Sequence, residues 1–198
     1  MLHALNHEPG DILVFLPGEY EIRTAIRELD SLLPDAKEQN LLILPLYGSL
    51  PPQEQDRALA ETPPPLRKII FSTPVAETSI TVNGVRIVID SGLMRVPRFS
   101  PKTAMNKLET VRVSLASAEQ RRGRAGRTAP GVCFRLWSPA EERGFAPFNT
   151  PEIMALGQNW AQHPALQNTS LGSGIARIQK ETALFFKTLG YTYDAAEN

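Results

Sequence analysis

The amino-acid sequence predicts a three-layer α/β domain built around a mostly parallel sheet. Four apolar runs of strand length lack the alternation of a strand with one solvated face, and helical segments separate them. Buried strands that alternate with helices are typical of a parallel sheet covered on both faces. The four runs span residues 11–16, 41–44, 68–71 and 85–90.

Helical spacing supports this topology. Apolar residues recur on one helical face from Ile22 to Leu33, which predicts an amphipathic helix over 19–33. The prolines after Leu50 favour a helix start, and this second helix is expected to reach about Ala60. In such sheets ligands bind at the carboxyl ends of the strands.

Two runs that do alternate, 92–101 and 106–113, follow the fourth strand. Alternation predicts a projecting antiparallel hairpin with one exposed face, and an ordinary sheet edge is the alternative. The basic residues along this stretch are Arg95, Arg98, Lys102 and Lys107.

The composition also divides the chain. We expect residues 1–150 to form the main domain. Residues 151–198 are expected to be an appendage, with a Gly/Ser/Asn-rich linker over 168–174 and an amphipathic helix over 175–189.

Charge is distributed unevenly along a chain of zero net charge. Residues 1–61 carry eleven acidic and four basic side chains, whereas residues 86–143 carry five acidic and twelve basic ones. This difference within one domain favours a nucleotide or nucleic-acid surface in the second half, and a solvated surface is the alternative.

Other site classes are not expected. The only cysteine, Cys133, lies in an apolar run, which predicts a buried, inert thiol and fits a reducing cytoplasm. The three histidines are far apart, so no metal site is expected. No apolar run has the length of a membrane span, and we expect no membrane partner.

One stretch, Gln-Arg-Arg-Gly-Arg-Ala-Gly-Arg over residues 120–127, is the most informative in the chain. It looks too polar and flexible for a core element, and arginine forks match phosphate oxygens in pairs. Its spacing also allows Gln120, Arg121, Arg124 and Arg127 to share one helical face. A solvated basic loop or an unspecific nucleic-acid patch is the alternative.

A second polar stretch, Ser-Thr-Pro-Val-Ala-Glu-Thr-Ser-Ile-Thr-Val-Asn-Gly, spans residues 72–84 after the third strand. Local chemistry explains part of it, because Thr73 before Pro74 is a sound helix start. Asn83–Gly84 is compatible with a plain hairpin turn.

Together the two stretches resemble motifs V and VI of the DEAH-box group of superfamily 2 helicases, in the family's order and spacing. Residues 13–18 resemble motif IV, and residues 45–52 resemble the adjoining block. The chain is therefore identified as the second RecA-like domain, of the P-loop NTPase type, of a DEAH-box RNA helicase. The resemblance is strongest to the bacterial HrpB-like branch.

This resemblance implies roles for individual residues. Gln120, Arg124 and Arg127 would reach the γ-phosphate of ATP, while Glu77 and Ser79 would lie between the nucleotide and the RNA. The implied nucleotide contacts are Leu59, Ser79 and Asn83. The implied nucleic-acid contacts are Thr73, Thr81, Arg95, Arg98 and Lys102.

Three positions depart from the family pattern. Pro74 replaces an asparagine near the nucleic-acid backbone, and Asn83 replaces an aspartate that contacts the nucleotide ribose. Leu59 replaces an aromatic residue that stacks on adenine, which implies indifference to the base of the nucleoside triphosphate.

Two further motifs are not in these 198 residues: a phosphate-binding Walker A loop and the D-E-x-H box that holds magnesium. We therefore expect ATP with magnesium to be held mainly by an absent first RecA-like domain, and this chain to be inactive alone. The expected partners are that domain and single-stranded RNA, or DNA. The alternative is a non-catalytic RNA-binding or regulatory module derived from a helicase half.

Overall fold

A computed structural model describes residues 1–36, 38–78, 82–100, 105–127 and 129–149. The predicted linker and C-terminal helix beyond residue 150 lie outside this range. The helices are α1 (Leu2–His7), α2 (Glu19–Leu32), α3 (Pro52–Leu59), α4 (Val75–Thr78), α5 (Leu115–Arg122) and α6 (Pro139–Glu142), with a 3₁₀ turn at Gly123–Gly126. The strands are β1 (Asp11–Phe15), β2 (Leu41–Leu46), β3 (Arg67–Ser72), β4 (Val85–Asp90), β5 (Leu93–Ser100), β6 (Met105–Arg112) and β7 (Val132–Arg135).

Five strands form one parallel sheet in the order β2-β3-β1-β4-β7. This confirms the predicted parallel α/β fold. The central strand β1 is buried along its whole length, which explains why its sequence shows no alternation. The sheet also gains β7, which contains the apolar run around Cys133.

Side chains of β1 divide between two cores because successive strand residues point to opposite faces. Ile12 and Val14 pack with α1 and α2, on what we call the α2 face. Leu13 and Phe15 pack with α3, α4 and the 3₁₀ turn, on what we call the α3 face. The predicted three layers are therefore present.

Two consecutive basic residues at the start of β3 hold helix ends on these opposite faces. The Arg67 guanidinium donates to the carbonyl oxygens of Leu5 and Glu8, at the end of α1, at 2.9 and 2.6 Å. The buried Lys68 ammonium donates to those of Ala58 and Ala60, at the end of α3, at 3.3 and 2.5 Å. Cations there bind the carbonyls that a helix end leaves without intrahelical partners.

The predicted hairpin is present as well. Strands β5 and β6 form their own two-stranded sheet, so the sheet-edge alternative is wrong. Residues 96–100 and 105–109 of this hairpin belong to a compact unit different from that of the five-stranded sheet. The alternative for Asn83–Gly84 is also wrong, because this turn leads into β4, which pairs in parallel with its neighbours.

No helix in the described part of the chain is long and apolar enough to cross a membrane.

Cys133 is half-buried rather than fully buried, and burial raises the pKa of its thiol to about 11. At pH 8 only about one thiol in a thousand would be a thiolate, the form that reacts with alkylating agents. We expect iodoacetamide to label native Cys133 more than a hundredfold more slowly than the urea-unfolded chain, measured by mass spectrometry. Equal rates in the two states would contradict the inert assignment.

Candidate functional site

The two polar stretches meet on the α3 face of the sheet. Ala76 of the first stretch and Ala125 of the second are buried in the same core cluster, together with Val82 and Val88. The Arg124 guanidinium also donates to the backbone carbonyl of Glu77, which joins the stretches directly. Segments far apart in sequence thus form one candidate site.

The arginine-rich stretch is not one continuous helix. Ser114 caps the start of α5 by accepting from the Ser117 N–H at 3.1 Å, and the α-helix ends at Arg122. A 3₁₀ turn then carries Arg124, and Arg127 follows it. The predicted common helical face from Gln120 to Arg127 is therefore wrong, because a 3₁₀ turn advances fewer residues per turn than an α-helix.

Arg121 lies wholly inside the domain. Its guanidinium forms ion pairs with Glu77 at 3.0 Å and Asp90 at 2.9 Å, and it also donates to the Leu93 carbonyl at 3.2 Å. It lies over the ring of Phe15, 4.9 Å from the centroid. Arg121 is 0% exposed, so the expectation that this stretch is too polar for a core element is wrong. Paired carboxylates and a ring face make burial of this charge possible.

Glu77 is the acidic centre of the site. Its carboxylate accepts hydrogen bonds from Ser117 and Arg121, and its backbone carbonyl accepts one from Arg124. Glu77 is itself buried, at 8% exposure. One residue of the first stretch therefore positions two arginines of the second.

Asp90 completes the buried charge cluster at the carboxyl end of β4. It accepts from the Gly92 N–H at 2.9 Å and pairs with Arg121. Burial raises the pKa of its carboxyl, and the neighbouring Arg121 guanidinium opposes this shift.

The other residues of the arginine-rich stretch differ in exposure. Arg124 is 7% exposed, and burial, together with nearby Arg127, lowers the pKa of its guanidinium. Gln120 and Arg127 are exposed, as is Arg122, which pairs with Glu119 at 2.6 Å. The stretch thus divides into inward-facing and outward-facing arginines.

Two predicted nucleotide contacts lie near one another around the end of α3. Leu59 is the last residue of α3 and packs partly buried on the α3-face core. Asn83 is exposed and donates through Nδ2 to Oε1 of Glu61 at 3.1 Å, just after that helix. The third predicted contact, Ser79, lies outside the described residues.

Three of the predicted nucleic-acid contacts, Thr73, Arg95 and Arg98, lie in the described residues. Thr73 is half-buried, directly after the carboxyl end of β3. Arg95 pairs with Glu21 of α2 at 2.9 Å, and on the outer hairpin Arg98 pairs with Glu109 at 3.3 Å. Thr81 and Lys102 lie outside the described range.

Sequence reasoning missed Glu61, Ser117 and the inward orientation of Arg121. The four arginines of the stretch are chemically identical, so the sequence does not show which of them is buried. In the structure, Arg121 is distinguished by its buried carboxylate partners.

An open groove of about 890 Å³ beside α2 and β2 is lined by none of the predicted site residues. Across the residues that the structure describes, no cluster of three or more histidine, cysteine or acidic side chains can hold a metal ion.

Comparison with known proteins identifies clear relatives. A family model described as the helicase conserved C-terminal domain matches residues 1–129. The probable ATP-dependent RNA helicase DHX34 of Homo sapiens is 41% identical over 158 residues, covering 77% of this chain and 14% of that protein. The ATP-dependent RNA helicase HrpA of Borreliella burgdorferi is 48% identical over 128 residues, covering 65% of this chain and 15% of that protein.

Solved structures agree with these relatives. The crystal structure of the E. coli DExH-box NTPase HrpB matches with a TM-score of 0.71 and 38% identity, covering 80% of this chain and 19% of that chain. The curated relatives are much longer, and the chain spans 13% to 21% of their length.

The buried charge cluster generates a stability prediction. Replacing Arg121 by Met leaves Glu77 and Asp90 as buried carboxylates without their cation. We expect the free energy of unfolding to fall by about 3 to 5 kcal/mol, measured by urea denaturation at pH 7. Arg122→Met is the matched control, because Arg122 is the adjacent arginine and its exposed ion pair contributes at most about 1 kcal/mol. Similar losses for both variants would show that the Arg121 cluster has no special structural role.

Proposed function

The chain belongs to the helicase conserved C-terminal domain family, as found in DEAH-box RNA helicases, and from this premise we propose that it is the second motor domain of an ATP-dependent RNA helicase. The observation that carries the proposal is the joining of the two polar stretches by Glu77, which holds Arg121 through its carboxylate and Arg124 through its carbonyl. This contact places the arginine-rich turn beside the segment that follows β3.

We assign the phosphate chemistry to Gln120, Arg124 and Arg127. ATP would occupy a cleft between this domain and a first RecA-like domain that carries the Walker A loop and D-E-x-H box. The two arginines would stabilise the charge on the transferring phosphoryl group, an effect of about three to five powers of ten in arginine-finger enzymes. The hydrogen bond from Arg124 to the Glu77 carbonyl favours this role for Arg124, since such donors act best when preorganised.

ATP is proposed to bind together with magnesium, which would neutralise phosphate charge. The residues that bind the magnesium ion are assigned mainly to the first domain. Leu59 and Asn83 would contact the nucleoside.

RNA is proposed to pass the carboxyl end of β3, where Thr73 and Thr81 would contact backbone phosphates. Backbone contacts carry no sequence information, so binding should be independent of sequence. The hairpin residues Arg95, Arg98 and Lys102 would add basic contacts. Because Arg95 and Arg98 already pair with Glu21 and Glu109, RNA phosphates would have to compete with these carboxylates.

The γ-phosphate would link the nucleotide and RNA sites. Its contacts with Arg124 and Arg127 would close the two domains, and its loss on hydrolysis would let them separate. Glu77 and Ser79 would act between these sites and transmit the change.

Lysine substitution of the arginine fingers tests this assignment in the complete helicase. Lysine keeps the charge but loses the planar fork, so Arg124→Lys and Arg127→Lys should each lower the rate of ATP hydrolysis by at least about a hundredfold. RNA affinity without nucleotide should stay nearly unchanged. Arg122→Lys, an exposed neighbour, is the matched control and should keep normal hydrolysis.

The alternative function, a non-catalytic RNA-binding or regulatory module, predicts the opposite result. If the arginines form a general basic patch, Arg124→Ala and Arg127→Ala should weaken nucleotide-free RNA binding. The slope of log affinity against log salt should then fall by about one for each lost phosphate contact. A normal rate of ATP hydrolysis in both lysine variants would contradict the catalytic role assigned to Arg124 and Arg127.

RNA binding by this domain alone provides a separate test. In this proposal few basic groups would contact phosphate and the first RecA-like domain would be absent, so binding of single-stranded RNA should be weak and should fall steeply between about 50 and 200 mM salt. Fluorescence anisotropy with several unrelated RNA sequences measures both effects. Tight binding that resists salt and prefers one sequence would contradict the proposal.

A further inference from the structure

The end of α3 and the turn before β4 are both bound by the buried residues Asp11 and Lys68. The Lys68 ammonium binds the carbonyls of Ala58 and Ala60, on either side of Leu59. The Lys68 backbone N–H donates to Oδ1 of Asp11 at 2.8 Å, and the Asp11 N–H donates to the Gly84 carbonyl at 3.1 Å. The end of α3 and the turn before β4 are therefore held to the same two residues.

The turn itself requires glycine. Gly84 has a φ of +82°, and a Cβ there would lie 2.8 Å from Oδ2 of Asp11. Asn83, just before it, is therefore presented from a backbone with little freedom.

A hydrogen bond between Asn83 and Glu61 closes the gap between these loops. Nδ2 of Asn83 lies 3.1 Å from Oε1 of Glu61, and both residues are exposed. An ionised carboxylate only accepts hydrogen bonds, so the amide must turn its NH₂ group toward Glu61. The carbonyl oxygen Oδ1 of Asn83 then points away from Glu61 as an acceptor.

We propose that Glu61 is a positioning residue that orients Asn83 to recognise a sugar hydroxyl of a ribonucleoside triphosphate. This inference rests on the proposed function, in which Asn83 contacts the nucleoside. A free asparagine amide presents a donor or an acceptor with equal ease, whereas one held by Glu61 presents its acceptor. The oriented oxygen accepts from a hydroxyl as an aspartate would.

The same geometry explains why a carboxylate at position 83 would be unsuitable in this chain. An aspartate there would face Glu61 at hydrogen-bond distance with no donor between them, and two like charges at this separation repel. Asparagine and Glu61 therefore act as a matched pair. Because Leu59 offers no aromatic stacking surface, the sugar rather than the base is the selected part of the nucleotide.

The test measures kcat/KM of the complete helicase for ATP, 2′-deoxyATP and 3′-deoxyATP. The unmodified enzyme should prefer ATP over at least one deoxy analogue. Glutamine can meet the Asn83 amide with either a donor or an acceptor, so Glu61→Gln should no longer fix its orientation and should reduce that preference by about 3- to 10-fold, the size of one hydrogen bond. Asn83→Asp should reduce it as well, whereas the double variant Asn83→Asp with Glu61→Gln should regain it, because the repulsion is gone.

Glu54→Gln is the matched control, since Glu54 is an exposed acid in the first turn of α3 and lines the groove near α2. It should leave the sugar preference unchanged. An unmodified enzyme without sugar preference, a Glu61→Gln variant with full preference, or a double variant without recovery would each overturn the inference. Failure of the proposed function is recognised separately, because Arg124→Lys would then hydrolyse ATP at the normal rate.

Discussion

The buried guanidinium of Arg121 is the contact on which the arrangement of the site depends. It joins α5 to Glu77 after β3, to Asp90 at the end of β4 and to the Leu93 carbonyl at the start of β5. A buried ion pair adds little net stability relative to apolar packing, but removing one partner is costly. The cluster therefore joins these segments through contacts that are costly to break one at a time.

Glu77 extends this constraint to Arg124. Its carboxylate is held by Arg121 and Ser117, so the carbonyl that binds Arg124 has a fixed position. The proposed RNA contact Thr73 lies four residues before it in the chain. A displacement at either end of this short segment would reach the other through a buried, hydrogen-bonded residue, which is the physical basis we propose for coupling RNA to ATP.

The proposed nucleoside contacts depend on a second buried pair, Asp11 and Lys68. Burial lowers the pKa of the Lys68 ammonium and raises that of the Asp11 carboxyl, and attraction between the two groups opposes both shifts. Lys68 also binds the end of α3, while Arg67 binds the end of α1 on the opposite face. The sheet thus positions loops on both faces through side chains at the start of a single strand.

The sequence by itself determined four of the five strands of the parallel sheet, helices α2 and α3, the hairpin and the family, because apolar runs and ordered motifs are local features of the chain. It did not separate Arg121 from its neighbours or reveal Glu61 as the partner of Asn83. Those assignments belong to the tertiary structure, since the carboxylates that bury Arg121 come from positions 44 and 31 residues earlier in the chain. Whether an arginine faces phosphate or the core is decided by which partners the fold brings beside it, and that information is not contained in the residue or its spacing.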